Sequence, residues 1–362
     1  MLGPRARGRG RTTLLAVITL VAVIALVLVG LSLWQRFTRT GLEQAADAVP
    51  ASSLRLAYTD WSRVRGQVDA KVDGSSSATE IEEFITEAYD TDFVAASSID
   101  ESAAALHRLY GFSPVNAEWE AFAQGRRGAA MVLKVPDADF DDLADNLDSI
   151  GYEEPEEDDG VWKGGVDLVA ATDPTLTPEL QYVSLLEDRG LVVTSDNAEY
   201  AAVAARAAKG DGDTLASRGT TESLTAAIEE PVNAMLWAGD FACEDLAMSS
   251  ADENDQATAE QLVADAGGVT PLSGLAMAMS VDRTLQVVGA FEDDDQAQDN
   301  LRPRARLAVG EAVGRGGSFA DDFELTASRA VDATVRLTLE PRQPTGFVLS
   351  ALYDGPVLFA TC

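Results

Sequence analysis

The hydrophobic pattern changes character once along the chain. From Thr12 to Trp34, "TTLLAVITLVAVIALVLVGLSLW", no charged residue occurs. As a helix, the 20 residues Leu14 to Leu33 reach about 30 Å, the thickness of a bilayer's hydrocarbon core. The run is longer than the apolar part of a signal peptide, and the nearest small-x-small triplet, Ala46-Asp47-Ala48, lies well past its end. It therefore predicts an uncleaved single-pass anchor, with the lipid bilayer as its partner. Arg5, Arg7, Arg9 and Arg11 precede the run, and only Arg36 and Arg39 follow it closely. This asymmetry puts the N-terminus in the cytoplasm and the rest outside the plasma membrane.

Beyond a helical neck, "TGLEQAADAVP", the apolar positions fall into short alternations and helical spacings. Leu54 to Tyr58 reads as a strand, and Asp60 is placed to cap a short helix behind it. Helical spacing recurs at Glu80 to Tyr89 and Glu101 to Tyr110, then "AAMVLKV" reads as a strand and Asp137 to Ile150 as an amphipathic helix. "EEPEEDDG" is an acidic surface loop. Three strands are expected next: around Val161 to Ala170, "QYVSLL" and "LVVTS", the last two forming a hairpin through Glu187-Asp188-Arg189-Gly190. Ala198 to Lys209 is an alanine-rich helix and "GDGDT" a hinge. A long helix starts at Asp294, is kinked or restarted by Pro303, and ends at Gly314, Gly316 or Gly317 as a left-handed cap.

The order of these pieces repeats. "PASSLRLAYTDW" from Pro50 matches "PVNAMLWAGDF" from Pro231: proline, apolar strand, aspartate, aromatic. "VPDADFDDLADNL" at 135 to 147 matches "FEDDDQAQDNL" at 291 to 301. "YVSLLEDRGLVVTS" at 182 to 195 is paired with "FVLSALYDGPVLFATC" at 347 to 362, and "LAMAMSVDRTLQVVGAF", turning at Asp282-Arg283, is left as an additional hairpin. The expected fold class is α+β: a transmembrane helix followed by two related modules of mainly antiparallel sheet, with helices packed on one face. The expected organisation is a basic cytoplasmic tail (1–11), the transmembrane helix (12–35), a helical neck (36–49), module 1 (50–212) and module 2 (213–362).

Charge sharpens the division at the membrane. The first 40 residues hold six arginines and no acid, leaving 21 basic and 60 acidic residues in the other 322, a net charge of −39. Such a surface repels nucleic acid and anionic lipid, so neither is expected as a partner. The 23 arginines against 4 lysines, with abundant alanine, glycine and valine, reflect base composition more than function.

Candidate chemistry is sparse. "TSDN" at 194 to 197 contains the Ser-Asp-Asn triplet of serine β-lactamases, but Ser-x-x-Lys and Lys-Thr-Gly are missing, and Ser195, Asp196 or Asn197 is expected to cap the next helix. His107 is the one histidine, and no Gly-x-Ser-x-Gly or His-Glu-x-x-His motif surrounds it. The acidic clusters at 153–159, 252–255 and 292–295 lack the spacing of a preformed Ca²⁺ loop. "GEAVGRGGSF" lacks the spacing of a phosphate-binding loop. Asp60 and Asp240, equivalent in the repeat, read as caps. No catalytic, cofactor or metal residue is therefore assigned. The two cysteines are different: Cys243 follows the first strand of module 2 and Cys362 ends its last, in an oxidising compartment, which predicts a Cys243–Cys362 disulfide.

Together the basic N-terminus, the single apolar helix and the duplicated elements "PASSLRLAYTDW" and "PVNAMLWAGDF" resemble the membrane-anchored actinobacterial envelope proteins of unknown function with a duplicated α/β extracytoplasmic region. That resemblance implies architecture and localisation and brings no activity with it. The leading expectation is a non-enzymatic envelope interaction or scaffold protein with an envelope protein partner. A ligand- or Ca²⁺-binding module is the alternative, and an unrecognised carboxylate-dependent hydrolase the third.

Overall fold

Eleven strands form one sheet in a computed structural model that describes residues 39–362 other than Asp158, Pro344 and Asp354. The cytoplasmic tail and transmembrane helix read from the sequence lie outside the described residues. Among the described residues no helix is long and apolar enough to cross a membrane. Residues Gly41–Cys362 make one compact unit, and the neck contributes its helix Gly41–Ala46.

The strands are β1 (Arg55–Thr59), β2 (Trp119–Gly125), β3 (Gly128–Lys134), β4 (Trp162–Lys163), β5 (Tyr182–Leu186), β6 (Leu191–Ser195), β7 (Pro231–Ala238), β8 (Gly274–Ser280), β9 (Leu285–Ala290), β10 (Phe323–Val331) and β11 (Thr334–Pro341). Their order is β10-β11-β9-β8-β7-β1-β2-β3-β6-β5-β4, and every neighbouring pair is antiparallel. The middle of the sheet is the pair β1–β7, one strand from each half of the chain, with Ala57 opposite Met235. Outward from it, β1, β2, β3, β6 and β5 run on one side and β7, β8, β9, β11 and β10 on the other.

This topology corrects three expectations. The hairpin β8–β9 stands beside β7 where β2–β3 stands beside β1, so it is a counterpart and not an addition. Residues 347–362 form a short helix, Ser350–Tyr353, and a single 3-10 turn, Leu358–Ala360, in place of the expected closing hairpin. That place in the sheet belongs to β10–β11, whose turn sets Asp332 at φ 49°. The third correction concerns the helices, which cover both faces and not one.

The reason lies in side-chain size. On one face β1, β3, β7 and β8 present Ala57, Met131, Leu133, Met235, Trp237 and Met277 beneath helices that carry Phe84, Leu143 and Leu307. On the other face the sheet is paved with Ala121, Ala123, Ala130, Ala234, Ala276 and Ala278. These alanines are apolar but short, so the helices Gly41–Ala46, Ala198–Lys209 and Gly219–Ala227 lie close to the sheet through Ala45, Ala204 and Ala227. Burying two faces leaves the middle strands with no solvated side, and all eight residues of β7 are buried.

Two local expectations also change. The strand around Val161 to Ala170 is only β4, because Gly164-Gly165 breaks it, Gly165 standing at φ +76°, and the helix Gly165–Thr172 follows. The helix from Asp294 runs through Pro303 and stops at Leu307, well before the glycines.

Candidate functional site

Three polar side chains stand in one row across the middle of the sheet. Thr59 on β1 is the register partner of Asn233 on β7 and of Glu120 on β2, so all three share a face. All are fully buried, in a face otherwise made of methionine, leucine and aromatic side chains. A polar group placed there needs partners, and the segment that follows the helix Ala78–Asp90 supplies them.

That helix begins with a capping box between Ser77 and Glu80 and buries Ile81, Phe84 and Ala88. It ends beside Asp92, whose φ of +64° turns the chain back across the sheet. The backbone carbonyl of Asp92 accepts a hydrogen bond from Asn233 Nδ2 at 2.7 Å. Its buried carboxylate accepts from the amides of Val348 (2.8 Å), Leu349 (2.7 Å) and Ser350 (3.2 Å) and from Ser350 Oγ (2.6 Å). One residue thus ties the first half of the chain to β7 and to the C-terminal segment.

Glu120 is held by the next few residues. Its Oε2 accepts from Trp61 Nε1 (3.1 Å) and Ser97 Oγ (2.9 Å), and its Oε1 from Ser98 N and Ser98 Oγ (both 2.7 Å). Loss of solvent raises its pKa and the donated bonds lower it. Burial wins and leaves it at about 7. Asp100 is raised as well, burial again being the largest cause. Thr59 Oγ1 and Asn233 Oδ1 have no hydrogen-bond partner among the described residues.

On the solvent side of this segment lies an open cleft of about 490 Å³, lined by Tyr89, Asp92, Ser97, Asp100, Phe347 and Tyr353 among others. Ser97 is common to both features: it lines the cleft and donates to Glu120 behind it. Tyr89 and Phe347 stand edge to face, ring centroids 5.3 Å apart, and each is about half exposed (52% and 53%). Tyr353 closes the far wall by donating from its hydroxyl to Ala95 O at 2.7 Å.

The residues singled out from the sequence sit elsewhere, and most are structural. Cys243 and Cys362 form the expected disulfide, S–S 1.97 Å with Cα atoms 5.7 Å apart. The C-terminal segment is fixed next to it by Val357 N to Leu246 O (2.9 Å) and Met248 N to Thr361 Oγ1 (3.2 Å). Asp60 caps its helix by accepting from Arg63 N at 2.9 Å, whereas Asp240 makes no side-chain cap bond. Asn197 caps the helix Ala198–Lys209, while Ser195 Oγ donates to Ala129 O at 2.6 Å. His107 Nδ1 lies 3.4 Å from Ser113 Oγ. Asp252 and Asp293, from two of the acidic clusters, cap the helices Glu253–Ala266 and Asp294–Leu307. Among the described residues no group of three or more His, Cys, Asp or Glu is placed to hold a metal ion.

The row Asn233–Thr59–Glu120 and Asp92 were missed from the sequence. A signal for Glu120 exists: in "WEAFAQ" the alternation sets it on the same face as Phe122, an acid where an apolar residue belongs. Comparison with known proteins adds nothing to this geometry. No protein-family model, curated protein or solved structure matches the chain.

Proposed function

We propose that this is a single-pass, membrane-anchored extracytoplasmic protein whose two related modules present a surface for an envelope protein partner, without catalysis of its own. The anchor is the helix read from residues 12–35, and the resemblance to duplicated actinobacterial envelope proteins belongs to the same reading. What supports contact as the function is the cleft mouth. Among the described residues only three large apolar side chains are exposed, Tyr89, Val166 and Phe347, and two of them face each other over one cleft. Aromatic anchors left in water beside a concave surface are the composition of a binding hot spot.

The Ca²⁺-binding alternative has less to stand on, since Asp252 and Asp293 direct their carboxylates at amides of their own helices. A carboxylate-dependent hydrolase would rest on Glu120, which is covered by Ser97 and Ser98 and not open to the cleft. The test is a pull-down from native membranes with the full-length chain and with a Tyr89→Ser/Phe347→Ser variant of equal melting temperature. A partner captured by the first and lost by the second is the expected result. An identical set of captured proteins from both would remove the cleft from the proposal.

A further inference from the structure

The charge around the cleft is one-sided. Asp92, Asp100 and the neighbouring Glu120 are acids, and among the described residues no lysine or arginine lines it. Cations in the segments around it already have partners: Arg283 donates to Gly346 O at 2.6 Å, Arg315 to Ala351 O, and Arg108 is paired with Asp173 at 3.2 Å. Asp92 is met by three amides and a hydroxyl. Glu120 is fully enclosed. Asp100 is half-buried at the cleft wall, where its carboxylate meets the backbone amides of Asp100 and Glu101 and has no ion pair among the described residues. The cleft therefore combines a half-buried carboxylate that lacks a cationic partner among the described residues with two half-exposed aromatic rings at the mouth.

Both features favour the same kind of guest. A cation over an aromatic face is attracted by the ring's quadrupole, and more so where water is excluded. A carboxylate partly removed from water gains most from an opposite charge brought to it. The net charge of −39 beyond the membrane helix would draw such a guest from a distance. We propose that the cleft receives a lysine or arginine side chain from an extended basic segment of the partner protein, with its charge against Asp100 and its stem along Tyr89 and Phe347. This deepens the interaction reading above and rests on it.

Fluorescence anisotropy with the full-length chain in a nonionic detergent at physiological salt tests the assignment. The probes are labelled ten-residue Gly/Ser peptides carrying one central Arg, Lys or Gln. The Arg or Lys peptide should bind at least about tenfold more tightly than the Gln peptide. That preference should vanish in Asp100→Asn and in Tyr89→Ser/Phe347→Ser. It should survive in Asp100→Glu, which keeps the charge and guards against misfolding of the first variant. Asp294→Asn, an acid that does not line the cleft, should bind like the wild type. Equal binding of the Arg and Gln peptides overturns the proposal, as does a loss in Asp294→Asn matching that in Asp100→Asn. Competition by spermidine at concentrations that match the peptide would assign the site to free polyamines and overturn it too. A membrane partner captured through the cleft without any cationic-peptide binding would sink the charge assignment while the interaction reading stands.

Discussion

Glu120 should make this protein lose stability as pH rises from weakly acidic to neutral. Its ordinary value near 4.5 is raised to about 7 in the folded chain, chiefly by burial. Between those values the native state keeps a proton that the unfolded chain has released. The stabilisation is complete below about 4.5 and is lost as pH climbs through about 7. At about 1.4 kcal/mol for each tenfold change in proton affinity, ionisation in place costs about 3 kcal/mol. The protonated acid must donate one hydrogen bond, which a Ser97 or Ser98 hydroxyl can accept by turning. Glu120→Gln abolishes the titration and keeps the shape. Urea unfolding, followed by fluorescence of the buried Trp61, Trp119 and Trp237, gives the stability of both proteins at pH 5 and pH 8. Asp100 is raised by burial in the same direction, but it is present in both proteins and cancels in their difference. The wild type should be the more stable at pH 5, and its advantage should shrink by about 2.5 kcal/mol at pH 8. An advantage that stays constant between the two pH values would refute the argument.

Removing the disulfide with Cys243→Ser/Cys362→Ser frees a loop closed over a sequence separation of 119, worth up to about 5 kcal/mol in the chain-entropy model; calorimetry with and without reductant checks it. Asp92→Ala strands three amides and a hydroxyl at a left-handed backbone position and should cost about 3 kcal/mol or more, with limited proteolysis appearing first around residues 347–353. Asp92→Asn, which tolerates that backbone and keeps an acceptor, should cost less than half as much. Asp60→Ala loses a helix cap and should lower stability by about 1 kcal/mol, while Asp240→Ala, which loses no cap bond, should fall within about 0.5 kcal/mol in the same melts.

Local patterns were legible wherever a signal was strong and short in range. The hairpin turn at Gly190 (φ 58°), the turn at Asp282-Arg283, the capping aspartate Asp60 and the amphipathic helix Phe140–Ile150 are all where the alternation and turn residues put them. The hairpin β10–β11 escaped because β10 exposes the consecutive run Thr326 to Arg329 instead of every second residue, and a bulge between Leu325 and Ala327 interrupts the period. The segment 347–362 was misread for the opposite reason. Its apolar run "PVLFAT" is buried by packing against the sheet's helices and the disulfide, and burial of that kind does not distinguish a strand from a turn.

What the sequence determined by itself is chemistry of short range, strands, caps and turns, together with a strongly acidic composition. What only the tertiary structure decided is which of these pieces meet. Nothing in the order of residues says that Asn233, Thr59 and Glu120 share one row, because β1 meets β2 over 61 positions and β7 over 174 by sheet registry alone. The same holds for the cleft, where Tyr89 and Phe347 touch across most of the chain. Its charge pattern exists only because burial removes solvent from acids that, read singly, are indistinguishable from the other carboxylates of a strongly acidic surface.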